Sequence, residues 1–468
     1  MWDSARITEI LQGELYGSKE VPYAGVSIDS RKVGQGEVFV AIRGEKTDGH
    51  HYIGDAFQAG AAVVLAEKER LDEIGLPCIP ENKAIIAVRD SIQALQVLAK
   101  AWRQELNPKV VGITGSSGKT TTKDMVAAVL AQKYRVHKNM ENHNNEIGLP
   151  LTILGASYGT EIMVLEMGMR GLGQIKTLCD ICRPSIGVIT NIGTTHMELL
   201  GSQEKITEAK WELIDSLPED GIAVLNAEDR FSVLKSDTSC LKKIFYGING
   251  SYVKPSIQGT DMEPRGTMGT QFKVTIPNEE ATVQIPLPGE HHVLDALAAL
   301  AAGFSCEVPL EKGALALENF ELSKMRLEVL KGVGGSILIN DVYNANPASM
   351  KASLQVLAER GGSKTIAVLG EMYELGEVSA AGHRGVGEVV AQLGISELIT
   401  VGKMAGDIAL GAEQAGMSKE KIHPCDDCPQ AAGVAREKIK EIGPSATVLI
   451  KGSRGMRMER ISELLCEK

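Results

Sequence analysis

The chain has 468 residues, 43% of them hydrophobic and 23% charged, with a formal net charge of −11. That length exceeds what one ordinary core supports and implies about three domains. The acidic balance excludes a broad nucleic-acid surface, which needs clustered cations to displace counterions, but leaves room for a small anion in a local basic pocket.

No apolar run approaches the ~20 residues that cross a bilayer. The segment from Met1 to Ile10 carries Asp3, Arg6 and Glu9 in place of a signal peptide's apolar centre. A cytoplasmic protein with no membrane partner is expected. The pairs Cys179/Cys182 and Cys425/Cys428 have a zinc-ribbon spacing, yet they lie far apart in sequence and read as reduced thiols.

Apolar runs alternate with amphipathic stretches, the pattern of α/β architecture with buried parallel strands. In chain order, a strand-like run at 84–88 gives way to a helix reaching about Leu106, which sets a first boundary. Strands are expected next at 110–114, 162–165, 186–191 and 223–226, with a helix at 122–132. Residues 252–288 are rich in Thr, Val, Gln, Gly and Pro and read as hairpins or loops. An Ala-rich helix starting at Val293 and its short successor end at a second boundary near 320. Beyond it, strands are expected at 337–340, 366–370, 398–402 and 448–451, with a helix at 349–359. The division is therefore 1–88, 89–319 and 320–468.

The best-anchored chemistry is Thr114-Gly-Ser-Ser-Gly-Lys-Thr120, between a strand and a helix. Glycines turn backbone N–H groups inward around a phosphate chain, and the helix N-terminus adds partial positive charge. Gly115, Ser116, Ser117, Gly118, Lys119, Thr120 and Thr121 would cradle an ATP-type nucleotide. Lys119 would reach its terminal phosphates and the Thr120 hydroxyl its Mg²⁺. The strict P-loop places a Gly where this chain has Ile113, so the loop is a variant. The bland alternative is a glycine turn before a structural helix.

A nucleotide-bound Mg²⁺ needs hard ligands near that loop, and ligand groups sit at the carboxyl ends of strands. Glu166 and His196 each follow a buried-looking strand, although alone either reads equally as a cap or a loop residue. Lys210 falls at helical spacing with Ile206, Leu213 and Ile214. A lysine on an apolar face snorkels outward, the commoner outcome, or loses its proton by desolvation. As a neutral amine it can take up CO₂ as a carbamate and become an oxygen donor.

Together these stretches resemble the Mur ligase family over essentially the whole chain. The resemblance implies a small α/β UDP-binding domain, a central P-loop ATPase-like parallel-sheet domain and a C-terminal Rossmann-like domain. It implies Mg²⁺ held by Thr120, Glu166 and His196, and a carbamylated Lys210. Gly289-Glu-His-His-Val-Leu-Asp295 is similar to the family's adenine-side motif, with His292 and Asp295 replacing two asparagines beside His291. Arg326 and Asp341 match positions on the phosphate and ribose sides of the nucleotide.

Ser30 and Arg31 lie in a stretch similar to the UDP-sugar-binding domains of two family branches. Asp341-Val-Tyr-Asn-Ala-Asn-Pro, with Asn344 and Asn346, and Gly370-Glu-Met-Tyr-Glu-Leu-Gly376 with His383 resemble the branch that adds D-alanyl-D-alanine to a UDP-N-acetylmuramoyl-tripeptide. Asn142, Asn144 and Asn145 are expected to face the tripeptide, the alternative being a turn. Lys451 and Arg454 would hold the dipeptide's carboxylate, the alternative being a basic surface turn. A monomeric enzyme that closes around three ligands is implied. The rivals are a tripeptide-forming relative, a folylpolyglutamate-type synthetase and a P-loop switch without ligase chemistry. The switch leaves Glu166, His196 and Lys210 without a use.

Overall fold

A computed structural model describes residues 2–44, 47–140, 143–265 and 269–467. Its strands form three sheets of five, nine and six strands, the α/β architecture expected from the alternating pattern. The first sheet runs Glu14–Gly17, Ala84–Val88, Val63–Glu67, Val38–Val40, Val26–Ser27, and Glu14–Gly17 is its antiparallel member. The helix Ser91–Leu106, capped by the Asp90 carboxylate, buries Ala94, Leu95, Leu98, Ala99 and Trp102 on one face. Trp102 stacks edge-on against Trp2 at 5.3 Å and Tyr158 at 5.0 Å, joining the first unit to the second in one apolar core.

The nine-stranded sheet is parallel from Val136–Lys138 across to Ile257–Pro264. Two antiparallel strands, Thr270–Ile276 and Glu279–Ile285, complete it, so the 252–288 stretch is indeed hairpin. Its central strands are buried on both faces, which is why their sequences are uninterrupted apolar runs. Thr270–Ile276 instead alternates buried and exposed residues, as a strand with one wet face must.

The third sheet orders Glu328–Gly332, Ser336–Asn340, Thr447–Lys451, Thr365–Gly370, Glu397–Val401 and Ile422–Cys425, parallel apart from its first strand. Two expected boundaries shift for physical reasons. The strand at 186 ends at Ile189, because Asn191 turns away to hydrogen-bond the glycine loop. The helix begins at Lys119 because that loop runs straight into it. No helix among the described residues is long and apolar enough to cross a membrane.

Candidate functional site

The strand Lys109–Thr114 delivers the chain into a loop whose two glycines are sterically required. Gly115 has φ 155°, and a Cβ there would lie 1.8 Å from Thr190 Oγ1. Gly118, at φ 77°, caps the next helix, and a Cβ there would lie 2.4 Å from Asp295 Oδ1. The segment after strand Ile186–Ile189 fixes the loop's shape. Asn191 accepts from the Ser116 and Ser117 N–H groups, and Ser116 Oγ accepts from the Gly193 N–H at 2.8 Å. Lys119 Nζ donates to Gly115 O at 2.7 Å, and burial, partly offset by Glu166, pulls its pKa down.

Glu166 ends the strand Ile162–Glu166 and is 2% exposed. One carboxylate oxygen accepts from Thr120 Oγ1 at 2.6 Å and the other from Asn144 Nδ2 at 2.8 Å. Asn139 grips the Glu166 backbone, its Oδ1 accepting from Glu166 N at 2.6 Å. An acid aimed at the phosphate-loop hydroxyl is the donor set a nucleotide-bound Mg²⁺ requires, since that ion takes one or two carboxylates plus phosphate oxygens and water. Among the described residues no group of three or more His, Cys, Asp or Glu is gathered for a metal.

His196 caps the short helix Met197–Leu200 with φ 68°. Its Nδ1 lies 2.8 Å from Glu374 Oε2 of the third unit, without the alignment of a hydrogen bond. Burial draws this imidazole down to about 4, with Glu374 opposing and Lys210 and Lys119 assisting. Lys210 is 2% exposed on the helix Gln203–Asp215 and borders the same cavity. No hydrogen bond or ion pair engages its amine among the described residues. Burial, reinforced by Lys119, holds its pKa well below the usual lysine range. Between the two outcomes open to a lysine on an apolar face, snorkelling to solvent is the one the structure rules out.

The helix Glu290–Ser305 presents His291, His292 and Asp295. Asp295 accepts from Thr122 Oγ1 at 3.0 Å, and burial raises its carboxyl to about 7. Burial depresses His291 to about 3 and His292 to about 4, and His292 Nε2 has no partner. Arg326 stacks 4.1 Å over the Tyr343 ring.

On the third sheet, Asp341 follows Ser336–Asn340 and accepts from Lys451 Nζ at 2.5 Å and Ser353 Oγ at 2.6 Å. Lys451 also donates to Asn344 O at 3.1 Å, so its charge is engaged inside the chain rather than offered at the surface. Asn346 caps the helix Pro347–Gly361 in a capping box with Ser349, and its Nδ2 reaches Thr195 Oγ1 of the second unit at 3.5 Å. Arg454 Nη1 donates to Glu459 at 3.0 Å on the exposed rim.

Gly115–Thr121, Glu166, His196, Lys210, His291, His292, Asp295, Arg326, Asp341, Asn346, Lys451 and Arg454 border one cavity of ≈1020 Å³, as do Asn144 and Asn145, while Asn139 and Thr122 support it from behind. The carboxyl edges of the second and third sheets both open onto it, the position at which α/β sheets hold ligands. Asn145 spends its Oδ1 on the N–H groups of Ile147 and Gly148, forming the turn before helix Gly148–Leu154. Ser30 and Arg31 stand apart from the cavity's lining, with Arg31 exposed and paired to Asp29 at 2.8 Å. Asn142 lies outside the described residues.

Sequence reasoning missed Asn139, Asn191 and Glu374 as parts of the site. The first two flank motifs already singled out. Glu374 lies within the quoted 370–376 stretch, but nothing in its spacing shows that it faces His196.

The chain matches three Mur ligase descriptions: the family's catalytic domain over residues 22–103, the middle domain over 113–303 and the glutamate ligase domain over 325–454. The UDP-N-acetylmuramoyl-tripeptide--D-alanyl-D-alanine ligase of Bacillus subtilis is 40% identical over 98% of this chain and 97% of that protein. Among solved structures, MurF from Acinetobacter baumannii superposes with a TM-score of 0.86 at 28% identity, covering 100% and 99% of the two chains. The MurF ligase of Thermotoga maritima in complex with ADP gives 0.78 at 30% identity, covering 96% and 98%.

Proposed function

Since the chain belongs to the Mur ligase family, we propose from its cavity that it joins D-alanyl-D-alanine to UDP-N-acetylmuramoyl-tripeptide, converting ATP to ADP and phosphate, as an enzyme of peptidoglycan-precursor synthesis. The observation that carries this reading is the convergence of a phosphate loop, a buried acid and the carboxyl edge of a separate sheet on one cavity. A nucleotide switch needs the loop alone. The three units, 1–88, 89–319 and 320–468, would bring the UDP-sugar, the nucleotide and the dipeptide respectively, in a cytoplasmic monomer.

Gly115–Thr121 wraps the phosphates, and Lys119 leaves Gly115 O to meet the terminal phosphate. Asn144 and Asn145 lie on the tripeptide side, and His291, His292 and Asp295 on the base side. Arg326 and Asp341 approach from the third unit. An Mg²⁺ ion would be held by Thr120 and Glu166, with His196 and a carbamate on Lys210 as further donors, and would neutralise phosphate charge.

The tripeptide carboxylate attacks the γ-phosphorus, the bond to the ADP oxygen breaks, and an acyl phosphate forms. Lys119 contributes positioning and charge, which is most of what phosphoryl transfer requires. The dipeptide nitrogen, having released one ammonium proton to solvent, then attacks the acyl carbon; the C–O bond to phosphate breaks, phosphate leaves, and the nitrogen loses its surplus proton to the departing phosphate to give the amide. Closure of the third unit over the cavity would keep water from the acyl phosphate. For Lys210, enclosure without a partner supports a neutral amine, the form that adds CO₂.

Phosphate release from ATP tests the reading. Release is expected to need both UDP-N-acetylmuramoyl-tripeptide and D-alanyl-D-alanine. Nucleotide binding with no release under those conditions favours the switch. Small-angle scattering tests closure, with compaction expected on adding nucleotide and UDP-tripeptide together and an unchanged profile counting against it.

A further inference from the structure

We propose that the Glu374 carboxylate receives the ammonium group of the incoming dipeptide; this rests on the ligase reading above. The acids bordering the cavity are Glu146, Glu166, Asp295, Asp341 and Glu374. Glu166 is engaged by Thr120 and Asn144, Asp295 by Thr122, and Asp341 by Lys451 and Ser353. Glu146 belongs to the second unit, beside Asn145. Glu374 is the acid on the third unit's wall with open valences. Its side chain is 40% exposed, and its 2.8 Å approach to His196 lacks hydrogen-bond alignment. Among the described residues it makes no other hydrogen bond or ion pair.

The loop that carries Glu374 is held in place at the two positions that precede it. The Met372 N–H donates to Nε2 of fully buried His383 at 2.9 Å, which fixes the tautomer whose Nδ1–H donates to Ser379 O at 2.7 Å. The Tyr373 N–H donates to Ser453 Oγ at 2.9 Å. Glu374 itself has φ 62°, a left-handed conformation that a non-glycine residue adopts only where its surroundings enforce it. The Tyr373 ring packs so closely on Gly455 that a Cβ there would lie 2.8 Å away. The loop therefore abuts the turn bearing Arg454. An amine held at Glu374 faces His196, whose neighbour Thr195 reaches Ser116 O of the phosphate loop at 3.5 Å.

The test is Glu374→Gln, which keeps the shape and removes the charge. The KM for D-alanyl-D-alanine is expected to rise about 10–100-fold, the loss of one hydrogen-bonded charge contact. The KM values for MgATP and UDP-tripeptide should move less than about threefold, and E374D should recover part of the loss. Borohydride trapping in the absence of dipeptide should still capture acyl phosphate in the variant. An unchanged dipeptide KM, or a parallel rise in all three KM values, overturns the assignment. If the wild-type protein yields no trapped acyl phosphate, the ligase reading itself fails, a result separate from any behaviour of the variant.

Discussion

Two walls of one cavity each bury a lysine, and they treat it in opposite ways. On the third sheet, Lys451 is 3% exposed and held by Asp341 and Asn344 O. Burial alone would raise the Asp341 carboxyl, but Lys451 and Ser353 hold it below its ordinary value. On the second unit, Lys210 is 2% exposed with no such partner, and burial, reinforced by Lys119, acts on it with Asp229 opposing. Burial is common to the two lysines, and the partner is what separates them: Lys451 is tied into an ion pair, whereas the Lys210 amine has no such pair among the described residues.

The largest expected effect lies on the unpaired side. Lys210→Ala should lower turnover about 10²–10³-fold, the usual cost of removing one electrostatic stabiliser from an active site. Bicarbonate or a short-chain carboxylic acid should restore part of it, and wild-type turnover in this variant would erase the distinction between the walls. Lys451→Met should instead act through stability. It strands Asp341 as an uncompensated buried charge, costing about 3–5 kcal/mol in urea unfolding.

Lys210→Met should do the reverse and raise the melting temperature by about 2–4 °C near neutral pH. The sign follows from linkage. The folded-state pKa is lowered, so between it and the ordinary lysine value the unfolded chain binds the extra proton and the wild type pays a penalty. That penalty disappears as pH rises through about 10, and the difference between the two proteins should vanish there. The smallest effect belongs to the contact between the walls at Asn346. Asn346→Ala removes a helix cap and should cost about 1 kcal/mol, with the link to Thr195 lost as well.

Much of the fold was legible because the strands are buried on both faces. Runs such as 162–165 and 448–451 have no other use in a polar chain. The phosphate loop was legible because strand, glycines, Lys119, Thr120 and helix occur in order. Lys210 was half legible: helical spacing placed it on an apolar face, but only tertiary packing decides whether such a chain reaches solvent.

The third unit was harder to read. Asn346-Pro-Ala-Ser349 resembles a substrate-contact stretch, yet it also spells a capping box with proline at the first helical turn, and that signal was present in the sequence. Asn145 likewise makes a turn. Glu374 could not be foreseen, because its position depends on a left-handed residue, a buried imidazole and the approach of a second sheet.

Crystals grown with Mg²⁺, a non-hydrolysable ATP analogue and UDP-N-acetylmuramoyl-tripeptide give the most direct test of the convergence. The terminal phosphate is expected against Lys119, on the side of Glu166, His196 and Lys210, with the tripeptide carboxylate within about 3–3.5 Å of its phosphorus. A terminal phosphate seated away from those side chains would contradict the chemistry proposed for this cavity.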